Sequence, residues 1–225
     1  MRRITDTELV RNYCINNNGD IFDLNYLANK DFKDIPHVNL RKIVTRLIDA
    51  GLLRQISKGV YAIGESDLSD EDRVIKHYLD NEKGIAISDY LLFREGYQKD
   101  CPVLKVIKSN LTKGNKNIGN VQVLESNSWF DKVSGGYRLN LAMELIESGG
   151  PKNSEQIPAY LKRLSDLLTH YDNDEVFTSR VKDFYSASTY FELAKILNSM
   201  DISNDVMGIY GIKVSMRSKK WLSFL

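Results

Sequence analysis

The chain has 225 residues, enough for two small domains, with 42% hydrophobic and 27% charged residues, the balance of a protein that builds cores in water. A formal net charge of +1 excludes a polycation, so any nucleic-acid surface has to be a local patch. No apolar run approaches bilayer length, the first residues lack an apolar targeting segment, and Cys14 and Cys101 show no CxxC spacing, which predicts a cytoplasmic protein with reduced thiols and no membrane partner.

Thr5 or Asp6 can cap a first helix carrying Leu9, Val10, Tyr13 and Cys14 at helical spacing, with Cys14 as a small core residue. The run from Asn16 to Gly19 ends it, because Asn and Gly tolerate left-handed backbone. Asp23 can cap a short second helix with Leu24, Leu27 and Ala28, and Pro36 holds Ile35 extended before a third. There Leu40, Ile43, Val44, Leu47 and Ile48 form the clearest apolar stripe of the chain, stopped at Gly51. LLRQI and VYAI then read as two strands around the tight turn Ser57-Lys58-Gly59. Three helices followed by a hairpin is the order of a winged helix-turn-helix, placed over residues 1–66.

The acidic, Ser-rich stretch GESDLSDED marks a domain boundary, and Ser69 with Asp72 resembles a capping box for a helix over 70–80. A short helix over 89–95 ends at Gly96. Two β-rich segments, 103–112 and 121–126, flank KGNKNIGN, which reads as a loop. From Tyr137 onward the pattern is helical: LNLAMELIES, SEQIPAYLKRLSDLL with Pro158 either in its first turn or kinking it, and a long stretch over 174–200. After Ser203 the chain becomes basic and aromatic. The fold class expected is α+β: the winged helix, then a larger mixed α/β domain over 69–225 with a small sheet and a helical C-terminal part.

Function is most legible in the third helix. A helix that enters the major groove needs one apolar face for its scaffold and one basic or amide-bearing face for DNA. Over residues 37–58, His37, Asn39, Arg41, Lys42, Thr45, Arg46, Arg54 and Lys58 are set against a single acid, Asp49. Arginine can fork to guanine, Asn39 can either pair with adenine or cap the helix, and Lys58 sits at the hairpin tip, within reach of phosphate or the minor groove. His37 reads as an exposed turn residue or phosphate contact rather than a metal ligand. A second basic cluster, Lys213, Arg217, Lys219 and Lys220, reads either as a solubilising surface or, with Arg2 and Arg3, as a secondary DNA contact.

The run HVNLRKIVTRLIDAGLLRQISKGVYAIGE resembles the N-terminal winged helix of AbiEi-family antitoxins, whose pattern R-L-x-x-x-G-L-L and x-G-V-Y is met here by Arg46-Leu47, Gly51-Leu52-Leu53 and Gly59-Val60-Tyr61. The resemblance continues more weakly through GIAISDYLLFREGY (84–97) and covers about half of the chain in all. It implies a role in a type IV (AbiE) toxin-antitoxin system linked to abortive infection and phage defence. Such a protein is an antitoxin and transcriptional repressor that binds inverted repeats in its own promoter (autoregulation) and antagonises a nucleotidyltransferase-like toxin through its C-terminal domain. Two copies would read the repeats, from a protein that can be monomeric in solution. A winged-helix regulator with a ligand-sensing or oligomerising C-terminal domain is the second reading.

Nothing in the sequence composes an enzyme. His37, His77 and His170 are scattered, and there is no HExxH, CxxC pair or phosphate-binding loop, so neither metal nor cofactor is expected. Glu144 and Glu147 share a helix face that reads as solvated. Phe184, Tyr185, Tyr190 and Phe191, like Trp129 and Phe130, suit either a core or a protein interface. A DNA-processing enzyme with an unrecognised site is the third reading.

Overall fold

The computed structural model describes residues 4–79, 83–127, 136–169, 171 and 184–210. Its helices are α1 (Asp6–Asn16), α2 (Leu24–Ala28), α3 (His37–Asp49), α4 (Asp70–Leu79), α5 (Ser88–Arg94), α6 (Gly136–Glu147), α7 (Ile157–Leu168), α8 (Ala187–Ser199) and α9 (Val206–Tyr210). Its strands are β1 (Ile21–Asp23), β2 (Leu53–Ser57), β3 (Val60–Ile63), β4 (Gly84–Ala86), β5 (Lys105–Ser109), β6 (Lys116–Ile118) and β7 (Val121–Glu125). They form two small sheets, ordered β1-β3-β2 and β4-β5-β7-β6, so the chain is α+β.

The first helices start where side chains can satisfy their free N–H groups. Thr5 Oγ1 accepts from the Glu8 N–H and the Glu8 carboxylate accepts from the Thr5 N–H, a complete capping box. Asp23 ends β1 and caps α2, accepting from the N–H groups of Asn25 and Tyr26. Helix α3 buries Leu40, Ile43, Val44 and Leu47 and ends at Ala50, where Gly51 takes the left-handed backbone. The antiparallel β2–β3 hairpin turns on Lys58 and Gly59, whose φ of +76° suits glycine, with an irregularity between Gln55 and Ser57. Strand β1 adds to the other edge of β3, pairing Ile21 with Ala62 and Phe22 with Tyr61. α1, α2, α3, β1 and the hairpin share one core of Val10, Cys14, Phe22, Leu40, Leu47 and Ile63 among others. Cys14 lies in it at 1% exposure, its thiol pushed up to about 11 by burial, as its place in the apolar stripe predicts.

By compactness the chain divides into one unit of Met1–Gly84 with Ile107–Ser126, and another of Ile85–Val106 with Asn127–Leu225. This differs from the division expected between residues 66 and 69. The reason is α4, which Ser69 does cap through the Asp72 N–H but which is bound to what precedes it. Its Arg73 is 3% exposed and donates to the carbonyl of Ile63 at 2.7 Å and to that of Asp20 at 3.1 Å. In the other unit, α6 carries buried Leu139, Met143 and Leu145 and packs with α5, α7 and α8. Pro158 falls in the first turn of α7, where its missing N–H costs no helical bond.

Several sequence expectations change. The connector KGNKNIGN is not all loop: Lys116–Ile118 pair antiparallel with residues 121–123 around Gly119 and Asn120. Strands β1 and β4 were not expected, being three residues long and buried throughout, without alternation to betray them. The segment over 103–112 is a strand only at Lys105–Ser109, and Val103 and Leu104 are exposed. The solvated face assigned to Glu144 and Glu147 holds for Glu147 alone. Glu144 is 3% exposed because α6 is covered almost all round. Of the aromatic set, Tyr190 and Phe191 are core residues and Phe184 is exposed. Trp129, Phe130, His170 and residues 174–183 of the last long helical pattern lie outside the described residues.

Candidate nucleic-acid interface

The Leu40–Leu47 stripe fixes the rotation of α3, so the opposite residues must face outward. His37, Asn39, Arg41, Lys42, Thr45 and Arg46 are all exposed. Asn39 is not the cap. The helix begins two residues earlier, with Pro36 at the cap position and no side-chain bond there, and the Asn39 N–H donates to the Pro36 carbonyl. The Asn39 amide is thereby placed on the exposed first turn. Thr45 Oγ1 donates back to the Arg41 carbonyl at 3.1 Å. Lys58 is exposed at the hairpin turn.

Arg54 stands apart from this group. Its guanidinium meets Asp70 of α4 with both branches, Nη1–Oδ2 at 2.8 Å and Nη2–Oδ1 at 2.5 Å, which holds the Asp70 carboxyl below the usual carboxylate range. Its charge is locally balanced, whereas no ion pair is found for Arg41, Lys42, Arg46 or Lys58 among the described residues. The secondary candidates Arg2, Arg3, Lys213, Arg217, Lys219 and Lys220 lie outside the described residues. Val38 is absent from the expected set, yet it is 65% exposed on the first turn of α3. The signal for it was in the sequence: Val38 falls out of phase with the apolar stripe.

A second constellation lies in the same unit and is largely buried. Asp23, its side chain 0% exposed, accepts from Lys116 Nζ and from the Tyr78 hydroxyl, each at 2.8 Å, besides the two α2 N–H groups. Burial and the Asp23 charge push the Tyr78 phenol well above its ordinary range. Asp20 accepts from the Ile21 N–H at 2.7 Å and from His77 Nδ1 at 2.8 Å; a carboxylate has no proton to give, so Nδ1 carries the hydrogen. Asp20, Asp23 and His77 border a cleft of about 270 Å³ with Tyr13, Tyr26 and Lys30. Among the described residues no cluster of three or more His, Cys, Asp or Glu side chains is placed to hold a metal, and the cleft is bordered by no serine or cysteine. Of its polar groups, Asp20, Asp23 and His77 are occupied in fastening α4 and β6 to the β1 segment.

The Asp20 carboxyl is held below the usual range. Burial pushes it up, but the His77 bond and charge, the Ile21 N–H and the Lys76 charge outweigh that. A carboxyl lower in the folded chain than its unfolded value of about 3.9 adds stability that is complete above that pH and is lost as pH falls through the folded value. Urea midpoints of the protein should therefore drop below about pH 4. Asp20→Asn should lower the midpoint at pH 7 and flatten the acid limb. An acid limb as steep in the variant as in the parent would remove Asp20 from this account.

No protein-family profile and no curated protein matches the chain. Among solved structures, the crystal structure of RV2827C protein from Mycobacterium tuberculosis matches at 12% identity and a TM-score of 0.34, over 96% of this chain and 85% of that one. Among the described residues no helix is long and apolar enough to cross a membrane.

Proposed function

We propose that this protein binds double-stranded DNA through a winged helix-turn-helix formed by α1, α2, α3 and the β2–β3 hairpin, with β1 completing its small sheet. In this reading α3 lies in the major groove and Lys58, at the hairpin turn, reaches the flanking backbone. The observation that carries the reading is the division of α3 into a buried apolar stripe and an exposed face bearing Asn39, Arg41, Lys42 and Arg46. Such a face supplies both parts of DNA recognition, cations for phosphate and forked donors for base edges. With a net charge of +1 on the whole chain, contact has to be made by a local patch, and this face is one.

We further propose, from the resemblance of residues 37–65 to AbiEi-family antitoxins, that the bound DNA is an inverted repeat in the protein's own promoter. The protein then represses its operon as two copies on the repeat and, through residues beyond the winged helix, antagonises a nucleotidyltransferase-like toxin in the cytoplasm. The DNA part is tested by selecting ligands from a random duplex library with the full chain and titrating salt. The logarithm of affinity should fall linearly with the logarithm of salt concentration, by about 0.9 for each phosphate neutralised. Affinity for every duplex that is weak and insensitive to salt would refute it. Rescue of cells expressing a genetically adjacent nucleotidyltransferase tests the antitoxin part, and growth arrest unrelieved by this protein would refute that part alone.

A further inference from the structure

Along α3, the line opposite the buried Leu40–Leu47 stripe runs through Val38, Lys42, Thr45 and Asp49, at spacings of four, three and four residues that keep one helix face. Three of the four residues are polar or charged, as an exposed helix face should be. Val38 is the exception: it is 65% exposed, it belongs to no core cluster, and it stands between His37 and the free-facing Asn39. A β-branched residue there costs helix propensity relative to alanine, and no packing offsets the loss. Exposed apolar side chains are common on protein surfaces, but this one sits at the N-terminal end of the helix, the end that addresses base edges when such a helix enters the major groove. Two cations, Arg41 and Lys42, lie one turn further on and are both exposed. Duplex DNA offers one apolar feature in that groove, the 5-methyl group of thymine. Thr45 lies on the same line, exposed and with its hydroxyl hydrogen given to the Arg41 carbonyl.

We infer that Val38 is a specificity-determining residue that packs against a thymine 5-methyl group, so that the protein discriminates thymine from uracil at one position of each half-site. The inference rests on the DNA-binding reading above. The probe is a duplex recovered from a random library by the full chain, resynthesised with single thymine-to-uracil replacements, which remove one methyl and leave every hydrogen-bonding group in place. A single replacement at the contacted thymine should weaken binding of the parent protein about four-fold, the worth of one buried methyl-sized group. Val38→Ala should bind the thymine duplex less tightly and lose the discrimination at that position alone, and Val38→Thr, which keeps a methyl, should retain part of it. Because Val38 is exposed and makes no packing, neither variant should unfold at a lower urea midpoint than the parent. Uracil tolerated at every thymine by the parent protein overturns the inference while leaving the DNA reading standing. So does Val38→Ala that still discriminates at the same position as the parent. Failure of the full chain to bind any duplex in a salt-dependent way overturns the DNA reading itself, and this inference with it.

Discussion

Replacing Arg41, Lys42, Arg46 and Lys58 together by alanine should weaken binding to a selected duplex on the order of 1000-fold, with no loss of fold. An arginine forked onto a base edge is worth about 1–3 kcal/mol, and each phosphate-contacting cation adds about 0.9 to the salt slope. Removing four cations should therefore both lower affinity and make what remains less sensitive to salt, by as much as about 3 to 4 in the logarithmic slope. The fold should tolerate the change because all four side chains are exposed, three of them on a helix where alanine is the better helix former. Arg54→Ala is the informative companion. Arg54 belongs to the same basic run of sequence, but its guanidinium is held by Asp70. Its loss should cost less than about three-fold in affinity, against about five-fold or more for Arg46→Ala, if direct contact rather than net charge carries binding. Anisotropy titrations at several salt concentrations separate the outcomes. Equal losses for Arg54 and Arg46 would point to diffuse attraction, and a quadruple variant that binds like the parent would dismiss α3 as the contact surface.

The legibility of this molecule in its sequence follows the range of the interactions. Helices α1 and α3 were readable because caps and apolar phase are local: Thr5, the Leu40–Leu47 stripe and the Gly51 stop all act within a few residues. The hairpin was readable from Gly59 for the same reason. What could not be read was long-range pairing. Arg54 reads as one more open cation of the basic run until Asp70, sixteen positions on, is seen to hold its guanidinium. Lys116 looks like part of a solvated connector, yet it reaches Asp23 across ninety-three positions. Asp23 itself was recognised only as a cap, since a cap needs its neighbours two and three residues ahead, while its other partners come from elements that nothing in the sequence places beside it. A three-residue strand such as β1 has the same difficulty, because its identity comes from β3 rather than from its own residues.

The buried Asp23 should be the most sensitive polar position in the described part of the chain, and the order of its variants follows from who is left without a partner. Four donors converge on it: Lys116, the Tyr78 hydroxyl and the N–H groups of Asn25 and Tyr26. Asp23→Ala strands a lysine that is only 10% exposed, leaves the phenol of a fully buried tyrosine unsatisfied and uncaps α2. Breaking a buried pair in this way costs about 3–5 kcal/mol, a large share of the roughly 5–15 kcal/mol that holds a domain folded. Lys116→Met removes the other half of the pair, but Asp23 keeps three donors and the apolar stem of residue 116 is retained in kind, so it should cost distinctly less. The double variant Asp23→Asn with Lys116→Met removes both charges, keeps an acceptor oxygen for the cap and sets an amide N–H against the phenol oxygen, which can accept it. It should recover much of what Asp23→Ala loses, because the expense of a buried ion pair is mostly that of the charge left behind. Equilibrium urea unfolding at pH 7 orders the three. A Lys116→Met protein as unstable as Asp23→Ala would mean that the ion pair itself, and not the convergence of neutral donors on Asp23, fastens α4 and β6 to β1.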